Sequence, residues 1–129
     1  MKFQPDTLDG VNVISRHEGG PPVRIWVGPA AYGHSLLVPW SGAVVPWHDG
    51  GFAGLEPAHF ERIAALEPEL VIFGSGSRLR FPKPALVRAL IERGIGLETM
   101  DTGAACRTYN VLVSERRRVL GALLVEPAP

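Results

Sequence analysis

The stretch from Leu70 to Leu124 constrains the fold most tightly. It opens on a wholly apolar run, Leu70–Phe73, followed at once by Gly74-Ser75-Gly76. Consecutive apolar residues without polar alternation predict a strand buried on both faces. A helix is predicted from Pro84, with Leu86, Val87, Leu90 and Ile91 facing inward and Gly94 as its left-handed C-terminal cap. Ile95–Met100 is the next strand. Asp101 or Thr102 then caps a third helix by accepting from its free N–H groups. Ala105, Cys106, Tyr109, Leu112 and Val113 recur at helical spacing and form its inner face. Arg118–Val125 is a final strand, and the short link from Glu115 favours an antiparallel course for it. Strands alternating with helices imply a mostly parallel or mixed sheet layered with helices.

The N-terminal half reads as closely spaced strands. Val11–Ser15 is the first, and Gly19-Gly20-Pro21-Pro22 is a turn that neither strand nor helix can continue. Val23–Val27 is the second strand, followed by a loop from Gly28-Pro29 through Tyr32 and Gly33. Ser35–Val38 is the third, and Val44-Val45 a short fourth. No connection among them is long enough for a parallel crossover, so they pair antiparallel. His48–Gly54 is a glycine-rich loop. A helix then begins at Pro57, buries Phe60, Ile63 and Ala64, and stops at Pro68. The predicted fold is α/β: a mixed central sheet with N-terminal antiparallel strands, then a β-α-β-α-β unit, with helices layered on the sheet. Residues 1–129 read as a single domain.

Charge and cysteine usage exclude several classes. Thirteen basic residues balance thirteen acidic ones, so no nucleic acid or other polyanion is expected as partner. The single cysteine, Cys106, excludes an intrachain disulfide and fits a reducing compartment. The first ten residues lack a signal pattern, and the apolar run Val119–Val125 is too short to span a bilayer. These features predict a cytoplasmic protein.

Gly74-Ser75-Gly76 follows a buried strand, where open α/β sheets bind ligands. It lacks the third glycine of a dinucleotide fingerprint and the Lys-Ser/Thr of a P-loop. Two readings remain: backbone N–H groups near Ser75 and Ser77 hold a small anion, or the glycines serve a tight turn. Asp101, Thr102, Thr108 and Asn110 extend the candidate cleft. Cys106 near a helix N-terminus could be a nucleophile, but no histidine lies in its stretch, and a small buried apolar role is the expected one. His17, His34, His48 and His59 show no metal-ligand spacing, so no metal or other cofactor is expected. Trp26, Trp40 and Trp47 are core residues or an interface. Arg116, Arg117 and Arg118 are a solvated helix end or a contact for acidic lipid or a partner.

The run Asp101–Asn110, DTGAACRTYN, the following Ser114-Glu115, the strand and turn LVIFGSG and the leucine-rich last strand resemble a small α/β family of unknown function. That family includes a mitochondrial assembly factor for respiratory complex I and the adipogenesis-associated domain protein. VRIWVG, SLLVP and VVPW are also similar to its N-terminal strands. The resemblance implies a compact α/β domain without established catalytic activity, with some members acting in protein assembly at membranes. Ser75 stands where the family usually has threonine, and Arg116 where a glycine usually follows the glutamate. With no catalytic constellation in the residues, the expected role is a non-enzymatic assembly or interaction factor, with a protein partner and peripheral association with a membrane complex. Trp40, Trp47, Arg116 and Arg117 are its expected surface. The alternative is a ligand-binding protein or enzyme using the cleft at Gly74–Ser77 and Asp101-Thr102.

Overall fold

The computed structural model describes residues 10–126. Its centre is a five-stranded mixed sheet in the order β5-β4-β8-β6-β7. The strands are β4 (Leu36–Pro39), β5 (Val45–Pro46), β6 (Leu70–Gly74), β7 (Gly96–Met100) and β8 (Val119–Leu123). A separate antiparallel sheet holds β1 (Ile14–Gly19), β2 (Val23–Val27) and β3 (Ala30–Tyr32). Three α-helices complete the described residues: α1 (Pro57–Ala64), α2 (Arg88–Glu92) and α3 (Thr102–Ser114).

The apolar run at β6 does what its composition requires. All five residues of the strand are buried, and it pairs parallel to both β7 and β8. Its side chains alternate between two cores. Leu70 and Ile72 face one, with Leu36 and Val38 of β4, Val119 and Leu123 of β8, and Ala105, Cys106, Tyr109 and Val113 of α3. Ile14, Ile25 and Val27 bring the three-stranded sheet onto the same core. Val71 and Phe73 face the other, with Phe60 and Ile63 of α1, and Val87 and Leu90 at α2. The central sheet is therefore sandwiched, with α3 and the small sheet on one side and α1 and α2 on the other.

Four sequence expectations change. The first strand runs Ile14–Gly19 rather than Val11–Ser15, because a bulge between Ile14 and Arg16 resets its register against β2. Ala30–Tyr32, expected as loop, pairs with Ile25–Val27 across the turn at Gly28, whose φ is +56°. Alanines carry little strand propensity, so only the pairing creates this strand. The helix expected from Pro84 is a single 3-10 turn, Pro84–Leu86, followed by the five-residue α2. That change of helical type shifts the phase, so Val87 and Leu90 are buried while Ile91 is 64% exposed. Lastly, β8 runs parallel to β6 and is antiparallel only to β4. The 13 residues of α3 span about 20 Å, enough to carry the chain back along a strand before the short link begins.

The end of α3 explains the arginine at 116. The Arg116 N–H donates to Val113 O at 3.0 Å, and the Arg117 N–H to Leu112 O at 3.1 Å. This pair of bonds is the Schellman closure, whose left-handed position glycine usually fills. Arg116 occupies it at φ +64° and is exposed. A side chain in that region costs about 1–2 kcal/mol, partly offset by the greater unfolded-state entropy of glycine. Arg116→Gly is expected to stabilise by about 0.5–1 kcal/mol in urea melts, and a loss of stability would show that the guanidinium makes a compensating contact.

Candidate functional site

The C-terminal ends of β6, β7 and β8 meet at the N-terminus of α3. Gly74, the last residue of β6, lies so close to α3 that a Cβ there would sit 2.9 Å from Thr102 Oγ1 and 3.0 Å from Thr102 Cα. The Thr102 hydroxyl donates to Leu124 O at 2.8 Å and accepts from the Gly76 N–H at 2.9 Å. The Thr102 N–H donates to Gly76 O at 2.8 Å, and the Leu124 N–H to Gly74 O at 2.9 Å. Asp101 rather than Thr102 is the N-cap, its Oδ1 accepting from the Ala104 N–H at 2.9 Å.

Ser75 is fully buried and committed to its own loop. Its hydroxyl donates to Arg78 O at 2.7 Å and accepts from the Arg80 N–H at 2.9 Å. The Arg80 guanidinium turns inward, donating from Nε to Ser75 O at 3.1 Å and pairing with the Glu126 carboxylate. The other Glu126 oxygen accepts from the Phe52 N–H at 2.7 Å.

A cavity of about 230 Å³ opens beside this joint. Gly76, Ser77, Asp101 and Thr102 line it, together with His17, Gly19 and Val23 of the β1-β2 hairpin and Gly103, Leu124 and Glu126. Burial and then Arg107 push the His17 pKa down, against a smaller upward pull from Asp101. Of the residues expected in the cleft, four therefore come together. Gly74 and Ser75 lie beneath it, used for packing and internal bonds. Thr108 is half-buried further along α3 and does not line the cavity. Asn110 is a clasp: its amide accepts from the Ile14 N–H at 2.9 Å and donates to Ile14 O at 2.6 Å, tying α3 to β1. Its strand-like pairing needs a partner 96 residues away, which local sequence cannot show.

The cavity is poorly suited to an anion. The N–H groups of Ser75, Gly76, Thr102 and Ala104 all have protein acceptors. Asp101 and Glu126 add two carboxylates to the wall. His17 and Glu126 were not found from sequence, because the hairpin and the tail reach the joint only through tertiary folding; Gly103 adjoins Thr102 and lines the cavity as its neighbour.

The expected surface residues divide. Trp47 is 5% exposed, with its Nε1 donating to His59 O at 3.2 Å and its ring edge-on to Phe60 and Phe73, so it is a core residue and not a docking group. Trp40 is half-buried, with the Arg118 guanidinium 5.9 Å from its ring centroid. Arg117 Nε lies 3.2 Å from Glu69 Oε2, and the Arg118 N–H donates to Glu69 Oε1 at 2.8 Å. These contacts, the backbone one first, hold the Glu69 carboxyl below its usual range. Trp40, Arg116 and Arg117 thus gather at the opposite end of β6 and β8 from the cavity.

The family model described as "Protein of unknown function (DUF498/DUF598)" matches residues 19–124. The chain belongs to this family. Its relatives include the bovine protein named NADH dehydrogenase [ubiquinone] 1 alpha subcomplex assembly factor 3, 38% identical over 102 residues, covering 78% of this chain and 54% of the relative. The chain thus spans about half the length of these curated relatives. A crystal structure of a Bordetella parapertussis protein superposes with a TM-score of 0.83 at 34% identity, covering 91% of this chain and 98% of that one. The solution structure of a Mth938-like domain from Bordetella pertussis gives 0.80 at 29% identity, covering 98% and 93%. The family's fold is therefore the mixed α/β arrangement described above. Among the described residues no helix is long and apolar enough to cross a membrane.

Two measurements probe this region. Thr102→Val keeps the shape of the side chain but strands the Gly76 N–H and the Leu124 carbonyl. Each buried group left unpaired costs about 1–3 kcal/mol, so the loss in urea melts is expected at roughly 2–6 kcal/mol, with Thr102→Ser close to wild type. The Cys106 thiol is 3% exposed, and burial pushes its pKa up to about 12. Burial raises the Tyr109 hydroxyl in the same way. Both groups keep their protons in the fold and lose them more readily when unfolded. Their contribution is complete below the unfolded thiol value of 9.0 and is lost as pH climbs towards about 12. Stability should fall across that window, and less steeply in Cys106→Ala. Equal slopes would show that the thiol is not shielded.

Proposed function

We propose that the protein is a non-enzymatic assembly factor for a respiratory NADH dehydrogenase. The observation that carries this reading is the 38% identity over 102 residues to a protein named as an assembly factor for that complex. The site chemistry supports it. At the strand ends where an α/β enzyme would hold its substrate, the N–H groups of Ser75, Gly76, Thr102 and Ala104 are bonded to the protein itself. Cys106 is a buried neutral thiol, unsuited to nucleophilic attack.

The docking surface in this reading is the end of the sheet that carries Trp40, Arg116 and Arg117. Tryptophan and arginine are the residues most enriched among interface hot spots. Arg116 adds an unusual feature, since it holds a position that glycine would fill with less strain. A guanidinium kept there at a cost to the fold is accounted for by a contact outside the fold.

Deleting the gene from its host tests the role directly. Assembled NADH dehydrogenase, read on native gels and by NADH-quinone turnover of membranes, is expected to fall and smaller subassemblies to accumulate. Wild-type protein restores it, and an Arg116→Glu variant, altered at an exposed position, does not. Unchanged levels of the assembled enzyme in the deletion strain would overturn the reading.

A further inference from the structure

The loop after β6 is built inside out. After Ser77 the sequence interleaves basic and apolar residues: Arg78, Leu79, Arg80, Phe81, Pro82, Lys83. Ordinarily the apolar set would face the core. Here Arg80 turns inward, held by Ser75 and Glu126, with its side chain 23% exposed. Leu79 and Phe81 face solvent at 52% and 68% exposure. Phe81 is the most exposed of the large apolar side chains among the described residues.

The surrounding charge has one sign. Between Glu69 and Glu92 the chain carries four cationic side chains and no acidic one, although the whole protein is balanced. Glu126 neutralises Arg80. Arg78 and Lys83 are exposed, and neither is in an ion pair among the described residues.

We propose that the loop Ser77–Lys83 is a membrane-surface anchor, placing Leu79 and Phe81 in the interface of an anionic bilayer with Arg78 and Lys83 on the lipid headgroups. The lysine and the leucine favour this occupant over a protein, while the phenylalanine and the arginine suit either. Lysine is depleted in protein interfaces and leucine is under-represented among their hot spots. Phenylalanine and leucine beside lysine and arginine are instead the makeup of segments that lie in the headgroup region. Two apolar side chains and two cations make a reversible contact rather than a permanent one. The internal clamp fixes the loop backbone before it meets the membrane, so little ordering entropy opposes the contact. The anchor lies at the other end of β6 from Trp40, Arg116 and Arg117, leaving that surface free, and it stands whether or not the assembly role does.

Co-sedimentation of the full chain with vesicles tests the anchor. Vesicles of equimolar phosphatidylglycerol and phosphatidylcholine are expected to bind it, and phosphatidylcholine alone far less. Raising salt from about 0.1 M to about 0.5 M should weaken the binding by shortening the screening length. The Leu79→Ser, Phe81→Ser double variant and the Arg78→Glu, Lys83→Glu double variant should each lose about tenfold or more in affinity. All four positions are exposed, so melting should be unchanged and the loss assignable to the surface. A Phe81→Trp variant should shift its emission to the blue on anionic vesicles. Wild-type protein that ignores anionic vesicles overturns the anchor and leaves the apolar pair to a protein partner. A serine double variant that binds as tightly as wild type also overturns it, since the contact would then be electrostatic alone.

Discussion

The fold depends on one close approach, that of α3 to the end of β6. Gly74 has no side chain, and the space where a Cβ would stand is taken by Thr102 and Ala105. That contact brings the Thr102 hydroxyl between Gly76 and Leu124, so one side chain joins the loop after β6 to the end of β8. The hydroxyl matters because both partners are backbone groups shut off from water, and neither could go unpaired without a cost comparable to a whole mutation. The rest of α3 then falls into place. Tyr109 lies over Gly121, where a Cβ would come within 3.3 Å of its ring, and its hydroxyl reaches Asn12 O at 2.9 Å and Pro39 O at 3.0 Å. Asn110, one residue on, clasps Ile14. A single helix thereby ties the small sheet to the large one.

Much of this was legible from residue patterns because it rests on local physics. Leu70–Phe73 had to be a central strand, Pro57 a helix start, and Gly94 a helix end with positive φ, here +67°. The buried faces of α1 and α3 followed from spacing, although Leu112 is only half-buried at the rim of its core. What could not be read were events decided at a distance. Ala30–Tyr32 becomes a strand only because β2 is there to pair with it. The direction of β8 is set by the length of α3 acting as a return, not by the link that follows. Trp47, expected as core or interface, and Asn110, expected in the cleft, were also decided at a distance: each is satisfied by a backbone group that only the folded chain supplies.

The candidate cleft shows the difference between finding a place and finding a function. The ends of parallel strands did gather the glycine turn and the cap of α3 around a cavity. The same close packing consumed four of the donors at that point, the N–H groups of Ser75, Gly76, Thr102 and Ala104, and two carboxylates join the wall. In a fold whose ligands usually meet free N–H groups at this point, the joint between β6 and α3 is a structural device. The alternative reading of a ligand-binding protein gains no support from it.

The exposed apolar pair is harder to explain as a by-product of that joint. Arg80 faces inward to serve Ser75 O and Glu126, and its neighbours Leu79 and Phe81 face solvent. That accounts for the positions but not for what fills them. Serine, lysine or glutamate at 79 and 81 would leave every internal bond of the clamp intact and remove two large apolar side chains from water. Exposed leucine is ordinary by itself. Leucine and phenylalanine two positions apart on a braced loop, flanked by the cations Arg78 and Lys83, unpaired among the described residues, are what the clamp permits and does not require. The choice of those two residues therefore needs a reason outside the folded chain, and a surface that is both apolar and anionic supplies one.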